Sequence, residues 1–194
     1  MMNIDILLVF IYSYFLGSIP FGLLITKIFL NQDIRNIGSG NIGSTNVLRT
    51  GKKSLAVATL LLDGLKGYFS VIISLTYFND LVFLSALICF IGHIFPVWLK
   101  FKGGKGVAVY LGIIIALSFP LAIVFGISWI FIFFIFKYSS LSSMIGSLTV
   151  LFYTIIISNY SLSFFLFITF IIILFTHRDN IRRLKNSEES KIKL

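Results

Sequence analysis

Long apolar runs separated by short polar breaks make up most of this chain. The runs extend over Ile4 to Ile25, Leu55 to Tyr77, Leu81 to Leu99, Val107 to Phe119, Leu121 to Phe136, Leu141 to Ser158 and Leu162 to Thr176. The breaks fall at Asn79-Asp80, Ser118 to Pro120, Lys137 to Ser140 and Ser158 to Ser161. About 20 apolar residues carry a helix across a bilayer. The pattern therefore predicts an all-α, polytopic membrane bundle, and the open question is whether Val107 to Phe136 makes one crossing or two. Pro120 favours a boundary, because the residue before a proline is pushed away from helical geometry.

Charge placement points the same way. With two crossings in that stretch there are about seven transmembrane helices, N-terminus out and C-terminus in. The inner loops then hold Lys27, Arg35, Arg49, Lys52, Lys53, Lys100, Lys102, Lys105 and Lys137, and the tail adds Arg178, Arg182, Arg183, Lys185, Lys191 and Lys193. The outer connections contain only the acidic Asp5 and Asp80. Such an excess of Lys and Arg marks the cytoplasmic side. With one crossing the basic tail would face outward.

Composition agrees. The 194 residues are 58% hydrophobic and 12% charged, with a mean hydropathy of +1.01, far from the surface polarity of a soluble domain. The net charge of +9 lies at span ends, where it reports orientation and no nucleic acid is implied. Cys89, the single cysteine, excludes an intrachain disulfide, and with only His93 and His177 beside it a His/Cys metal cage is not expected. No metal or organic cofactor is demanded. The N-terminus lacks the basic region of a cleaved signal peptide and reads as a retained first span. The whole chain, 1–194, is expected to form one membrane-embedded domain whose tail, 177–194, lies in the cytoplasm.

Three polar segments interrupt this lipid-like pattern. The first runs from Gly38 to Arg49. Gly38, Gly40 and Gly43 allow backbone conformations closed to other residues, and successive exposed N–H groups suit a phosphate. Ser39, Asn41, Thr45 and Asn46 add neutral hydrogen-bonding groups, and Arg49 can grip two phosphate oxygens. The second, Phe101-Lys102-Gly103-Gly104-Lys105-Gly106, precedes a predicted helix N-terminus, which favours anions; it lacks the pattern of a Walker A loop. The third begins at His177. On a continuing helix His177 and Asn180 share a face, with Arg182 and Arg183 available for phosphates. Each segment has a plainer reading, as a flexible connector, a basic turn or a headgroup-binding cluster.

Smaller features also stand out. Asp63 and Lys66 lie inside a span at helical spacing, where ionised groups are functional or brace a polar site. Ser139, Ser140, Ser142 and Ser143 sit at a cytoplasmic break and suit a turn or a substrate contact. His93 reads as a packing residue.

Together the motifs resemble a known family. Ser39-Gly40-Asn41-x-Gly43-x-Thr45-Asn46-x-x-Arg49, then Gly92-His93-x-Phe95-Pro96 with Phe101 to Ala108, then His177-x-x-Asn180-Ile181-x-Arg183-Leu184 are similar to the three motifs of the bacterial acyl-phosphate:glycerol-3-phosphate acyltransferases. The similarity runs from Gly17-Ser18-Ile19-Pro20 nearly to Glu189. Departures are Ser44 where Ala is usual, Val109 where Thr is common and Ser187 where Gly is typical. The resemblance implies transfer of a fatty acyl group from acyl phosphate to the 1-hydroxyl of glycerol 3-phosphate at the cytoplasmic face of a bacterial inner membrane. The partners are then those two substrates, the lipid bilayer and an upstream acyl-phosphate-forming enzyme. The expected catalytic residues are Ser39, Arg49, Lys105, His177 and Asn180. Gly40, Asn41, Gly43, Thr45, Asn46, Gly103, Gly104, Ser142, Ser143, Arg183 and Glu189 are the expected substrate- and phosphate-binding residues, with phosphates held by Ser39, Arg49, Lys105 and the amides of Gly103 and Gly104. Neither histidine is followed five positions later by Asp, and no serine is visibly paired with a base, so direct transfer fits better than an acyl-enzyme. A transporter of a phosphorylated metabolite is the competing class; it would need a polar path to the outer side.

Overall fold

A computed structural model describes residues 4–192 as helices joined by short turns, with no strand among them. Lys193, counted above with the basic tail, lies outside the described residues. Five segments are long and apolar enough to cross a membrane: Ile4–Leu30, Lys53–Tyr77, Asn79–Leu99, Phe119–Phe136 and Ser139–Ile156. A sixth is present if the bent pair Tyr160–Thr176 and Arg178–Lys185 counts as one span. Val107–Leu117, an apolar helix of 11 residues, is shorter than these. The chain divides at Leu117/Ser118 into two compact units.

The first unit contains α1 (Ile4–Ser18), α2 (Phe21–Leu30), the single-turn α3 (Ser44–Leu48), α4 (Lys53–Tyr77), α5 (Val82–Ile94) and α6 (Val107–Leu117). The first apolar run is thus two helices, not one. The break is at Ile19-Pro20, because Pro20 has no N–H to continue the ladder and disfavours helix at the residue before it. Within the unit α4 packs on α6 and α1 on α5. Small residues allow the α4–α6 approach: a Cβ on Gly112 would overlap the backbone of Gly64. Apolar side chains gain little by leaving lipid for protein, so close packing and interhelical hydrogen bonds hold such pairs. The bonds here are hydroxyl bonds. Ser85 Oγ lies 2.9 Å from Tyr12 Oη, 3.0 Å from Ser13 Oγ and 2.9 Å from Ser70 Oγ, tying α1, α4 and α5 together.

The second unit contains α7 (Phe119–Phe136), α8 (Ser139–Ile156), α9 (Tyr160–Thr176) and α10 (Arg178–Lys185). The expected boundary at Pro120 is real but falls one residue early. Ser118 is extended and Phe119 already helical, with Pro120 in the first turn of α7, where its missing N–H costs no bond. Along α7 only Leu121, Phe125 and Phe133 are buried, and Ile127, Phe131 and Phe134 lie bare, a face suited to lipid. Ser128 Oγ and Thr149 Oγ1, 3.0 Å apart, pin it to α8.

Candidate active site

The loop from Ile37 to Arg49 folds around one side chain. Asn46, on α3, is 2% exposed. Its amide nitrogen donates to the carbonyls of Ile34, Ile37 and Asn41 at 3.0, 2.9 and 2.8 Å, and its Oδ1 accepts from the Ser39 N–H at 3.0 Å. Asn46 therefore spends its hydrogen-bonding capacity on the loop's own main chain. Gly38 (φ 55°) and Gly40 (φ 69°) occupy the left-handed region that the tight path requires. A Cβ on Gly38 would also meet Asn46 Oδ1 and the Arg49 side chain, which lies over the loop. Asn41 Oδ1 accepts the Gly43 N–H at 2.9 Å, bringing the chain into α3. Ser39, Gly40 and Arg49 are exposed, while Asn41, Gly43 and Thr45 are half-buried. Upstream, Asp33 caps the turn at Ile34–Asn36 and pairs with Arg35 at 2.6 Å. The hydrogen bond from the Arg35 side chain lowers the Asp33 carboxyl to about 2.

The second segment corrects an expectation. The Gly103 N–H donates to the Ile94 carbonyl at 2.9 Å and the Gly104 N–H to the His93 carbonyl at 3.1 Å. Both amides complete the C-terminal end of α5, so they are not free to cradle a phosphate. The pair is glycine for a different reason: a Cβ on Gly104 would overlap the His93 ring. Lys105, half-buried, follows directly.

In the second unit the tail turns back on itself. His177 closes α9 and opens α10, and the two helices meet at 59°. The continuous helix expected through His177 and Asn180 is therefore bent at His177; both residues are buried, at 2% and 5% exposure. His177 Nδ1 lies 2.8 Å from the Ile173 carbonyl. A carbonyl can only accept, so Nδ1 carries the proton and Nε2 the lone pair in the neutral ring. Glu189 joins three groups. Its Oε1 accepts from Ser140 Oγ at 2.7 Å and Asn180 Nδ2 at 2.6 Å, and its Oε2 from Arg183 Nε at 2.6 Å. Burial pushes the Glu189 carboxyl up, but the bonds from Arg183, Asn180 and Ser140 and the Arg183 charge outweigh it and leave the group below its ordinary value. The turn that brings Glu189 round places Ser187 at φ 59°, in the left-handed region that favours glycine. Because Asn180 donates through Nδ2, its Oδ1 is directed elsewhere. Ser142 and Ser143 are buried and donate to the carbonyls of Tyr138 and Ser139 at 2.9 and 2.8 Å, and Ser143 accepts from Trp129 Nε1 at 3.1 Å.

The structure thus groups Ser39 to Arg49 in one loop, Gly103 to Lys105 against His93, and Asn180 and Arg183 on Glu189. Ser140, the hydroxyl that bonds Glu189, was visible only as one of a serine cluster. The scaffold role of Asn46 carried no signal separating it from its polar neighbours.

The fold is that of a class of integral membrane acyltransferases. Residues 7–187 match the model of the glycerol-3-phosphate acyltransferase family, and the chain belongs to that family. A glycerol-3-phosphate acyltransferase of Pelagibacter ubique is 55% identical over 98% of this chain and 99% of its own length, and one of Bradyrhizobium diazoefficiens is 49% identical over 93% and 91%. The crystal structure of PlsY (YgiH), an integral membrane glycerol 3-phosphate acyltransferase, in its glycerol 3-phosphate form superposes with a TM-score of 0.92 at 34% identity, covering 97% of this chain and 96% of that one. Its lysophosphatidic acid form gives a TM-score of 0.89.

Proposed function

We propose that this chain acylates the 1-hydroxyl of glycerol 3-phosphate from acyl phosphate, giving 1-acylglycerol 3-phosphate (lysophosphatidic acid) and inorganic phosphate, the first acylation of phospholipid biosynthesis. The observation that carries the reading is the likeness over nearly the whole chain to PlsY, solved in a glycerol 3-phosphate form and a lysophosphatidic acid form. In the reaction the glycerol oxygen attacks the acyl carbonyl carbon, the carbon–oxygen bond to phosphate breaks, and phosphate leaves with the bonding pair.

Direct transfer, with no acyl-enzyme, is supported by the lack of a suitable nucleophile among the described residues. Cys89 is fully buried in α5, its Sγ 3.5 Å from the Lys66 carbonyl. The Nδ1 of His177 is bonded to the Ile173 main-chain carbonyl. An acyl phosphate already carries a good leaving group, so orientation and charge neutralisation suffice. Ser39, Arg49 and Lys105 bind phosphates in this reading, and Asn180, His177 and Ser142 orient the glycerol backbone. The hydroxyl proton passes to His177 Nε2 or to a substrate phosphate oxygen. Gly40, Asn41, Gly43, Thr45 and Asn46 serve by shaping the loop under Ser39, Gly103 and Gly104 by seating Lys105, and Ser143, Arg183 and Glu189 by holding α8 and the tail.

The charge count supports seven crossings, with Val107–Leu117 and Tyr160–Thr176 both spanning, the N-terminus outside and the basic segments facing the cytoplasm of a bacterial inner membrane. The chain then acts as one domain, 1–194, supplied by an enzyme that makes acyl phosphate. Purified protein given acyl phosphate and radiolabelled glycerol 3-phosphate should form labelled lysophosphatidate. Product from acyl-CoA or acyl carrier protein, with none from acyl phosphate, would overturn the donor. His177→Ala should abolish turnover if His177 is the base; near-normal kcat with a raised KM would assign the proton to the phosphate.

A further inference from the structure

The first unit contains a buried charged cluster that none of these roles uses. Asp63 and Lys66, each 2% exposed, lie one turn apart on α4 with Nζ 2.8 Å from Oδ1. Lys66 Nζ also donates to the Ile19 carbonyl at 2.8 Å, at the break before Pro20, where that oxygen also takes the Phe21 N–H at 3.2 Å. His93, 4% exposed, holds Nδ1 3.7 Å from the same Asp63 oxygen, and Nδ1 has no hydrogen-bond partner among the described residues. On its other side the His93 ring fills the space where a Gly104 Cβ would stand, and the carbonyls of His93 and Ile94 receive the Gly104 and Gly103 amides. Lys105 is the next residue.

A buried ion pair is a poor stabiliser, since apolar residues of similar volume often do as well or better. Inside a membrane span such a pair implies some further use. We propose that Asp63 and Lys66 are positioning residues for the second cationic segment: the Asp63 carboxylate, held by Lys66, faces the His93 ring across 3.7 Å and orients it electrostatically without a hydrogen bond, and His93 sets the turn at Gly103-Gly104 from which Lys105 projects. The inference rests on the reading of Lys105 as a phosphate-binding residue.

The test uses the full-length protein in detergent or liposomes. A single substitution would strand a buried charge, so the main variant is the double D63N/K66M, which removes both charges and keeps volume. A misplaced charge-assisted hydrogen bond weakens binding by about 10- to 100-fold. D63N/K66M should therefore raise KM for a phosphate-bearing substrate by that factor while kcat at saturation stays within about threefold. Tryptic cleavage after Lys102 and Lys105, followed by mass spectrometry, should quicken in the same variant, a readout independent of activity. Wild-type KM with a wild-type cleavage rate in the folded double variant would overturn the proposal. If the double variant does not fold, His93→Asn, which leaves the ion pair intact, must show the same two changes, and wild-type behaviour there is equally fatal. Lys105→Ala separates the two readings. If K105A leaves both KM values unchanged while D63N/K66M still loosens the segment, the assignment of Lys105 fails and the positioning stands. If K105A raises KM and D63N/K66M does not, the positioning fails alone.

Discussion

The loop at 37–49 and the tail at 177–189 both gather polar groups, but by opposite means. Asn46 organises the loop with a neutral amide bonded to four main-chain groups. Glu189 organises the tail with an ionised carboxylate bonded to three side chains. A shape held by main chain and glycine tolerates changes of pH but not of covalent bulk. One held by a carboxylate tolerates bulk nearby but depends on its proton.

The largest effect should come from Asn46→Ala. It takes a bond from three carbonyls and one N–H; the Ile34 and Ile37 carbonyls keep the Ile37 and Gly40 N–H groups, while the Asn41 carbonyl and the Ser39 N–H lose theirs, at about 1–3 kcal/mol for each that stays buried, so thermal unfolding in detergent should drop and activity be lost. Near-wild-type stability would show the loop to be held by something other than Asn46. Gly104→Ala tests the same sensitivity to bulk: the added Cβ meets the His93 ring, and overpacking of this kind costs about 1–3 kcal/mol, read in the same unfolding experiment.

The pH comparison follows. Glu189 is held below its ordinary value, so its contribution is complete above the ordinary carboxylate range and disappears as the pH falls through the lowered one. Hydrogen exchange, corrected for intrinsic rates, should show the Glu188 and Ile192 amides losing protection in that window. The Ser39 and Gly40 amides should keep theirs further down, because they are held by the neutral Asn46 amide and the Ile37 carbonyl. Simultaneous loss would erase the distinction drawn between the two regions. Glu189→Gln should release the tail at neutral pH and leave the loop untouched. The smallest effect is Ser187→Gly, which relieves a left-handed residue and should stabilise by at most about 1 kcal/mol after the glycine's unfolded-state freedom is subtracted.

Much of this was legible in the sequence because hydropathy and helical spacing act locally. The apolar runs, the boundary near Pro120 and the Asp63–Lys66 pair follow from period and composition. The break at Pro20 was signalled by the proline itself but masked by apolar residues on both sides. No proline or glycine marks the bend at His177, so no local pattern announces it. Gly103 and Gly104 show the limit most clearly. Glycine serves an anion nest and a close approach equally well, and only the position of His93 distinguishes them. Glu189 meets Ser140, 49 residues away, and nothing in the spacing announces that contact.

The bond from Lys66 to the Ile19 carbonyl also bears on how the protein is made. Its partners are 47 residues apart, so when the first apolar segment enters the bilayer, a solvent that supplies no water, the Ile19 carbonyl has the Phe21 N–H but not yet its charged partner. That second bond waits until α4 has followed it into the bilayer. The segment that enters the membrane first is therefore finished only after the second.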